Sequence, residues 1–259
     1  MPQFRLDKEI PPQENRFTLL GPEAGHALRV LRYKIGDKIL CLDPAGTRIE
    51  GIIEKIGEDL IAGSILNRRP FKESSLKINL YASILKTQAW EEVLEKGTEI
   101  GVAAFMPVLS DYSAITLKKE DYPRKMERWE KVILSAVKQS ERDSIPKLNF
   151  PRPLNAILGH DLAGDVSLFA WEKLRGNQDQ DFDLEPVFKN LNLQSLAVNL
   201  WIGPEGGFSE KEVELLLKRK VKPFSLGDHV LRAETAAVVA CAQVEYQAKR
   251  ALLLKSPLG

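Results

Sequence analysis

Only two cysteines, Cys41 and Cys241, occur in 259 residues, far apart and without metal-ligand neighbours. So few thiols imply no disulfide framework, leave a zinc site without donors and fit a reducing compartment. Histidine is nearly as scarce, with three. His26, His160 and His229 are isolated from one another, which suits structural or solvent roles better than catalysis. Charge of one sign is missing too: 37 Lys+Arg against 36 Asp+Glu leave a net +1. A bulk electrostatic grip on nucleic acid is therefore not readable from the totals, and any RNA contact must come from local basic patches. Long apolar runs are also lacking. Met1 to Glu9 has no signal-peptide core, and the small-residue run Ala236 to Ala242 is too short to cross a bilayer. The expected location is the cytoplasm, with no membrane and no metal.

What remains is an ordinary globular composition, 44% hydrophobic and 28% charged, in a length that suits two unequal domains. Lys38–Leu42, Arg48–Ile56 and Leu60–Leu66 read as short strands separated by turn residues, the rhythm of a small β-barrel. A helix is expected over Glu23–Arg32. The polar, proline-broken stretch Asn67–Ser75 reads as a linker, so the expected domains are 1–70 and 74–259. Beyond it strands and helices alternate. Strands are expected at Ile78–Ser83, Ala103–Val108, Val166–Ala170, Ala197–Ile202 and Val221–Leu226. One helix carries Trp90, Val93, Leu94 and Gly97 on a single face and stops at Gly101; another opens at Pro123 and carries Trp129 and Ile133. Such alternation predicts a parallel α/β sheet. Asp179–Asp183 reads as a solvated acidic loop.

Two phrases carry chemistry. In the first, the strand ending at Ile202 runs into Gly203-Pro204-Glu205-Gly206-Gly207-Phe208 and then into a helix. Ser209 and Glu212 form a capping-box pattern there, and Phe208 can staple onto Val213. Glycines beyond the carboxyl end of a strand allow backbone to approach a ligand. Neither a dinucleotide fingerprint nor a phosphate loop is present. In the second phrase, Ser225-Leu226-Gly227 leads through Asp228, His229, Val230 and Leu231 to Arg232-Ala233-Glu234-Thr235 and a small-residue helix. An arginine at a helix N-terminus opposes the dipole and calls for another partner.

The pair of phrases, with His26-Ala27-Leu28-Arg29-Val30-Leu31-Arg32, Lys86 with Trp90, Glu92 to Val102, and Gln139-Ser140-Glu141-Arg142 followed by Ile145-Pro146, resembles the RsmE family of the SPOUT superfamily. The resemblance covers nearly the whole chain. Departures occur at Asp111-Tyr112-Ser113, where an arginine-serine phrase is more common, and at Glu141, where the family has glycine. Asp228-His229 and Ala233 depart as well.

The resemblance implies a PUA-like β-barrel that binds RNA, followed by a trefoil-knotted parallel α/β domain acting as a homodimer. It implies methylation of uridine N3 in small-subunit (16S) ribosomal RNA, free or in the small subunit, from S-adenosyl-L-methionine. The implied cofactor residues are Trp171, Glu172, Ile202, Gly203, Pro204, Glu205, Gly206, Gly207, Ser225, Leu226, Gly227, Val230, Leu231 and Thr235. Arg29, Arg32, Lys86 and Arg142 are the implied RNA contacts. A guanidinium stays protonated, so Arg232 is a poor base. Its expected role is to stabilise the uracil anion, with Glu234 or Glu205 taking the N3 proton or bracing the arginine. Two other readings stay open: a non-catalytic RNA-binding or ribosome-assembly protein on the same fold, and a small-molecule enzyme on a conventional doubly wound sheet.

Overall fold

The computed structural model describes residues 2–70, 74–115, 117–162, 164–174, 184, 187–188 and 195–255. The acidic stretch Asp179–Asp183 lies outside them. Two units result, Met1–Glu73 with Val137–Ile145, and Ser74–Ala136 with Pro146–Gly259.

In the first unit β1 (Gln3–Arg5), β2 (Arg16–Leu20), β3 (Lys38–Leu42), β4 (Arg48–Ile56) and β5 (Leu60–Arg69) form a five-stranded sheet in the order β1-β3-β4-β5-β2. Only β1 and β3 run parallel. Alternate side chains point inward, so Phe17 and Leu19 of β2 meet Ile49 and Ile53 of β4 in a core completed by Phe4, Ile39 and Ile61. Burying each such side chain contributes about 1.5–3 kcal/mol. Register shifts at Glu50/Gly51 and Ile53/Lys55 bend β4, and the sheet curls.

Helix α1 (Gly21–Arg29) ends three residues before the expected Arg32. Arg32 takes φ = 57°, a left-handed conformation that cannot extend a right-handed helix. Strand β5 runs further than expected. Asn67, Arg68 and Arg69, read from composition as linker, pair with Glu50, Ile49 and Arg48, because the ladder to β4 outweighs local polarity. Within this unit Lys138 pairs with Glu23, and Arg48 meets Glu141 at 2.9 Å.

In the second unit β6 (Leu76–Ser83), β7 (Ala104–Leu109), β8 (Lys147–Leu148), β10 (Val166–Ala170), β11 (Leu196–Ile202) and β12 (Lys222–Phe224) follow the order β12-β10-β11-β6-β7-β8. With β9 (Arg152–Pro153) beside β7, the sheet has seven strands, and every pairing is parallel. Strand β11 is apolar but for Asn199, as a strand covered on both faces must be. Asn199 is fully buried yet satisfied: its amide donates to Ser167 Oγ at 3.1 Å, and its carbonyl accepts from Asn79 Nδ2 at 3.0 Å.

Helix α2 (Thr87–Ile100) buries Trp90, Val93, Leu94 and Gly97, and Gly101 stops it at φ = 115°. Most of α3 (Tyr122–Gln139) lies here, where Trp129 meets Trp90 edge-on at 5.5 Å. Short α4 (Leu154–Leu158) and α5 (Glu210–Lys218) pack together. Helix α6 (Ala233–Lys255) lies on α2, β6 and β11, with Ala237, Ala240, Cys241 and Val244 buried. Its small residues permit that close approach. The parallel order brings the carboxyl ends of β10, β11 and β12 side by side, where an open α/β sheet places its ligand crevice.

Candidate functional site

A cavity of about 690 Å³ opens at those strand ends, within the size range of small-molecule and cofactor sites. Three loops form its wall. After β10, the Trp171 amide donates to the Phe224 carbonyl at 3.0 Å, tying this loop to the end of β12. After β11, the Gly207 amide closes a turn onto the Pro204 carbonyl at 2.9 Å. After β12, the Ser225 hydroxyl accepts from the Gly227 amide at 3.3 Å.

The glycine loop is fixed from behind by α5. Ser209 accepts from the Glu212 amide at 3.2 Å, and Glu212 accepts from the Ser209 amide at 2.8 Å, so the capping box read from the sequence forms. Phe208 and Val213 share a core cluster, as the staple requires. Burial pushes the Glu212 carboxyl above the ordinary carboxylate range; the Ser209 and Asp111 amides oppose the rise, and the Asp111 charge adds to it.

Of the fourteen residues expected to hold a cofactor, all but Thr235 line this cavity: Trp171, Glu172, Ile202, Gly203, Pro204, Glu205, Gly206, Gly207, Ser225, Leu226, Gly227, Val230 and Leu231. Thr235 is exposed at the third position of α6. At about 100° per helical residue, Glu234 and Ala236 turn toward the cavity and Thr235 turns away. Arg232 and Glu234 both line it. The Arg232 carbonyl begins the helix by accepting from the Ala236 amide at 2.7 Å. Its guanidinium is exposed and, among the described residues, has no protein partner, so the partner expected from the sequence is not supplied by the described chain.

Lys86, expected to contact RNA, lines the same cavity. Arg29, Arg32 and Arg142 belong to the first unit. There Arg29 pairs with Asp59 at 2.7 Å across an exposed surface, and Arg32 is exposed. Arg142 is half-buried beside Ser144, and burial lowers its pKa from the ordinary arginine value.

Sequence reading missed Ala89, Ala170, Phe208, Ala233 and Ala236 in the cavity wall. The strand-end rule could have found Ala170, the last residue of β10. Nothing local marks the alanines, because their contribution is the space they leave. Both cysteines are free and buried, and burial pushes each thiol up to about 12.

The cavity can take an adenine-sized apolar body against Ile202, Leu226 and Leu231. Glu172, Glu205 and Glu234 stand against Lys86 and Arg232, an excess of carboxylate that suits a ligand carrying positive charge. The site therefore fits a sulfonium-bearing cofactor better than a nucleotide phosphate. Among the described residues, no three His, Cys, Asp or Glu side chains are grouped to hold a metal.

Known proteins resemble this chain along most of its length. A family model described as RNA methyltransferase domain matches residues 72–245, and one described as RNA methyltransferase PUA domain matches residues 19–66. The fold and the matched models thus define an RNA methyltransferase domain with a PUA domain before it. Ribosomal RNA small subunit methyltransferase E of Synechocystis sp. is 30% identical over 234 residues, 89% of this chain and 73% of that one. The Bacillus subtilis protein of the same name is 26% identical over 245 residues, 94% of this chain and 95% of its own. A Legionella pneumophila protein solved with the bound cofactor SAM is 26% identical, with a TM-score of 0.78 over 94% of this chain and 96% of that one. The chain belongs to the ribosomal RNA small subunit methyltransferase E family.

Proposed function

We propose that this chain transfers the methyl group of S-adenosyl-L-methionine to N3 of a uridine in 16S ribosomal RNA, and that residues 74–259 carry out the transfer. The observation that carries this reading is the meeting of three strand-end loops around one cavity lined by Glu234 and by Arg232, which is unpaired among the described residues. The cofactor supplies an electrophilic methyl on its sulfonium. Trp171, Glu172, the Gly203–Gly207 loop and Ser225–Leu231 would hold it, the carboxylates meeting its positive groups and the backbone fixing its adenine.

Neutral uracil N3 bears a proton and attacks poorly, so that proton must leave before or during transfer. Arg232 stabilises the resulting anion through the uracil carbonyl oxygens. Glu234, or Glu205, accepts the proton or braces the guanidinium. Residues 1–70 act as the RNA-binding domain, through Arg29 and Arg32, with Arg142 as a further contact. The order β12-β10-β11-β6, in which the last strand lies outside β10, supports the trefoil-knotted threading that the family implies. The chain works as a homodimer in the cytoplasm, on free ribosomal RNA or the small subunit.

The test is a pair of pH–rate profiles. Arg232→Lys loses the planar two-pronged donor, and its kcat falls about 100-fold or more. If Glu234 is the base, Glu234→Gln loses the limb on which the rate rises with pH; if Glu234 is a brace, that limb stays and the rate drops uniformly. Near wild-type activity in both variants would sink the proposal, as would retention of every N3-methyluridine in ribosomal RNA from cells lacking the protein.

A further inference from the structure

Strand β7 ends at Leu109, and the turn that follows is held by an unusual amount of polar bonding. The Ser110 amide donates to Ser113 Oγ at 3.1 Å, and the Ser113 amide donates back to the Ser110 carbonyl at 3.1 Å. Asp111 then grips the start of α5 twice. Its amide donates to Glu212 Oε1 at 3.0 Å, and its carboxylate accepts from Ser209 Oγ at 2.6 Å. Glu212 and Ser209 are both buried. The turn is thereby locked to the residues directly following the glycine loop.

Tyr112 stands on this clamp. Its Cβ and ring lie against Gly206: a Cβ built on that glycine would stand 3.2 Å from Tyr112 Cβ and 3.8 Å from Cγ. Gly206 lines the cavity, so Tyr112 is one residue from its wall. Yet Tyr112 remains 57% exposed. A side chain seated against backbone along Cβ and one ring edge, with more than half of its surface open, suits a stacking platform, since little rotamer entropy is lost when a base arrives.

We propose that Tyr112 is a base-contacting specificity residue, stacking on a nucleobase of the RNA at or beside the target uridine, with Asp111 as its positioning residue. The proposal rests on the methyl-transfer reading of the neighbouring cavity. Tyr112 lies within the matched RNA methyltransferase domain, residues 72–245, and that makes RNA the partner here rather than a protein surface.

The test measures two affinities on three proteins: anisotropy of a labelled 16S rRNA fragment, and calorimetry with S-adenosylmethionine, for wild type, Tyr112→Ala and Tyr112→Phe. In Tyr112→Ala, RNA binding weakens about tenfold or more while cofactor affinity stays within about threefold. Tyr112→Phe recovers most of the RNA affinity, because the ring is kept. The stacking loss is insensitive to salt, unlike that of a phosphate contact. Three results overturn the proposal: RNA affinity unchanged in Tyr112→Ala, equal loss of both ligands (a mere prop for the glycine loop), or a dimer that dissociates on substitution (a contact between copies). A wild type that binds both ligands without methyl transfer defeats the functional reading alone; one that binds no RNA defeats both.

Discussion

At Gly207 the backbone takes φ = 72°, and a Cβ there would stand 3.0 Å from Glu172 Oε1. Two of the three loops around the cavity thus meet at a position where only glycine is free of both strain and contact. Gly207→Ala should cost about 1 kcal/mol from the left-handed backbone alone. The displaced Glu172 should raise the Kd for S-adenosylmethionine about tenfold, equivalent to about 1.4 kcal/mol. Urea unfolding and calorimetry check the two parts separately, and unchanged affinity would remove Glu172 and Gly207 from the cofactor site. The sequence carried this much at residue scale, because glycine and proline leave local marks. It carried less at Thr235, where the phrase Arg232-Ala233-Glu234-Thr235 is contiguous in sequence but the helix turns one of its members away from the cavity. Ala236, one residue further on, faces the cavity instead, and an alanine announces nothing.

Among the elements, the ladder of Asn79, Asn199 and Ser167 crosses β6, β11 and β10 at matching register. Buried polar groups of this kind favour one strand register over its neighbours, since a slip leaves them unpaired. Asn199→Ala strands the Asn79 amide and the Ser167 hydroxyl, and should destabilise the second unit by about 1–3 kcal/mol. A lowered urea midpoint with an unchanged m-value is the expected signature; an unchanged midpoint would mean that water replaces the amide without cost. Strand positions were legible because apolar runs and turn residues are local. Val166–Ala170 matches β10 end to end, whereas β12 is shorter than Val221–Leu226 because its edge pairing with β10 covers only Leu168 to Ala170. Which strands pair was not legible. Nothing near Gln3–Arg5 announces a parallel partner in β3, and nothing in Val137–Ile145 announces that these residues group with the first unit. Those contacts are chosen by long-range burial and ion pairs, such as Arg48 with Glu141, rather than by the periodicity of either segment.

For the whole molecule, the cofactor reading makes a claim about where binding energy is felt. A ligand that binds only the folded state stabilises it by RT ln(1 + [L]/Kd), about 2.7 kcal/mol at a hundredfold excess over Kd. Every residue lining the cavity belongs to the second unit. In Gly203–Phe208 and Ser225–Leu231 no residue belongs to a strand, and the Gly207 and Gly227 amides bond only within their own loops, so these amides should exchange through local opening. Saturating S-adenosylmethionine should slow that exchange up to about 100-fold at the same excess. Amides of β3, β4 and β5 that exchange by local opening have no such link to the ligand, and their rates should not change. Hydrogen exchange with and without cofactor reads both groups in one experiment. Protection confined to β3–β5, or equal in both units, would place the cofactor's binding energy outside the three strand-end loops and detach the glycine loop from its proposed work.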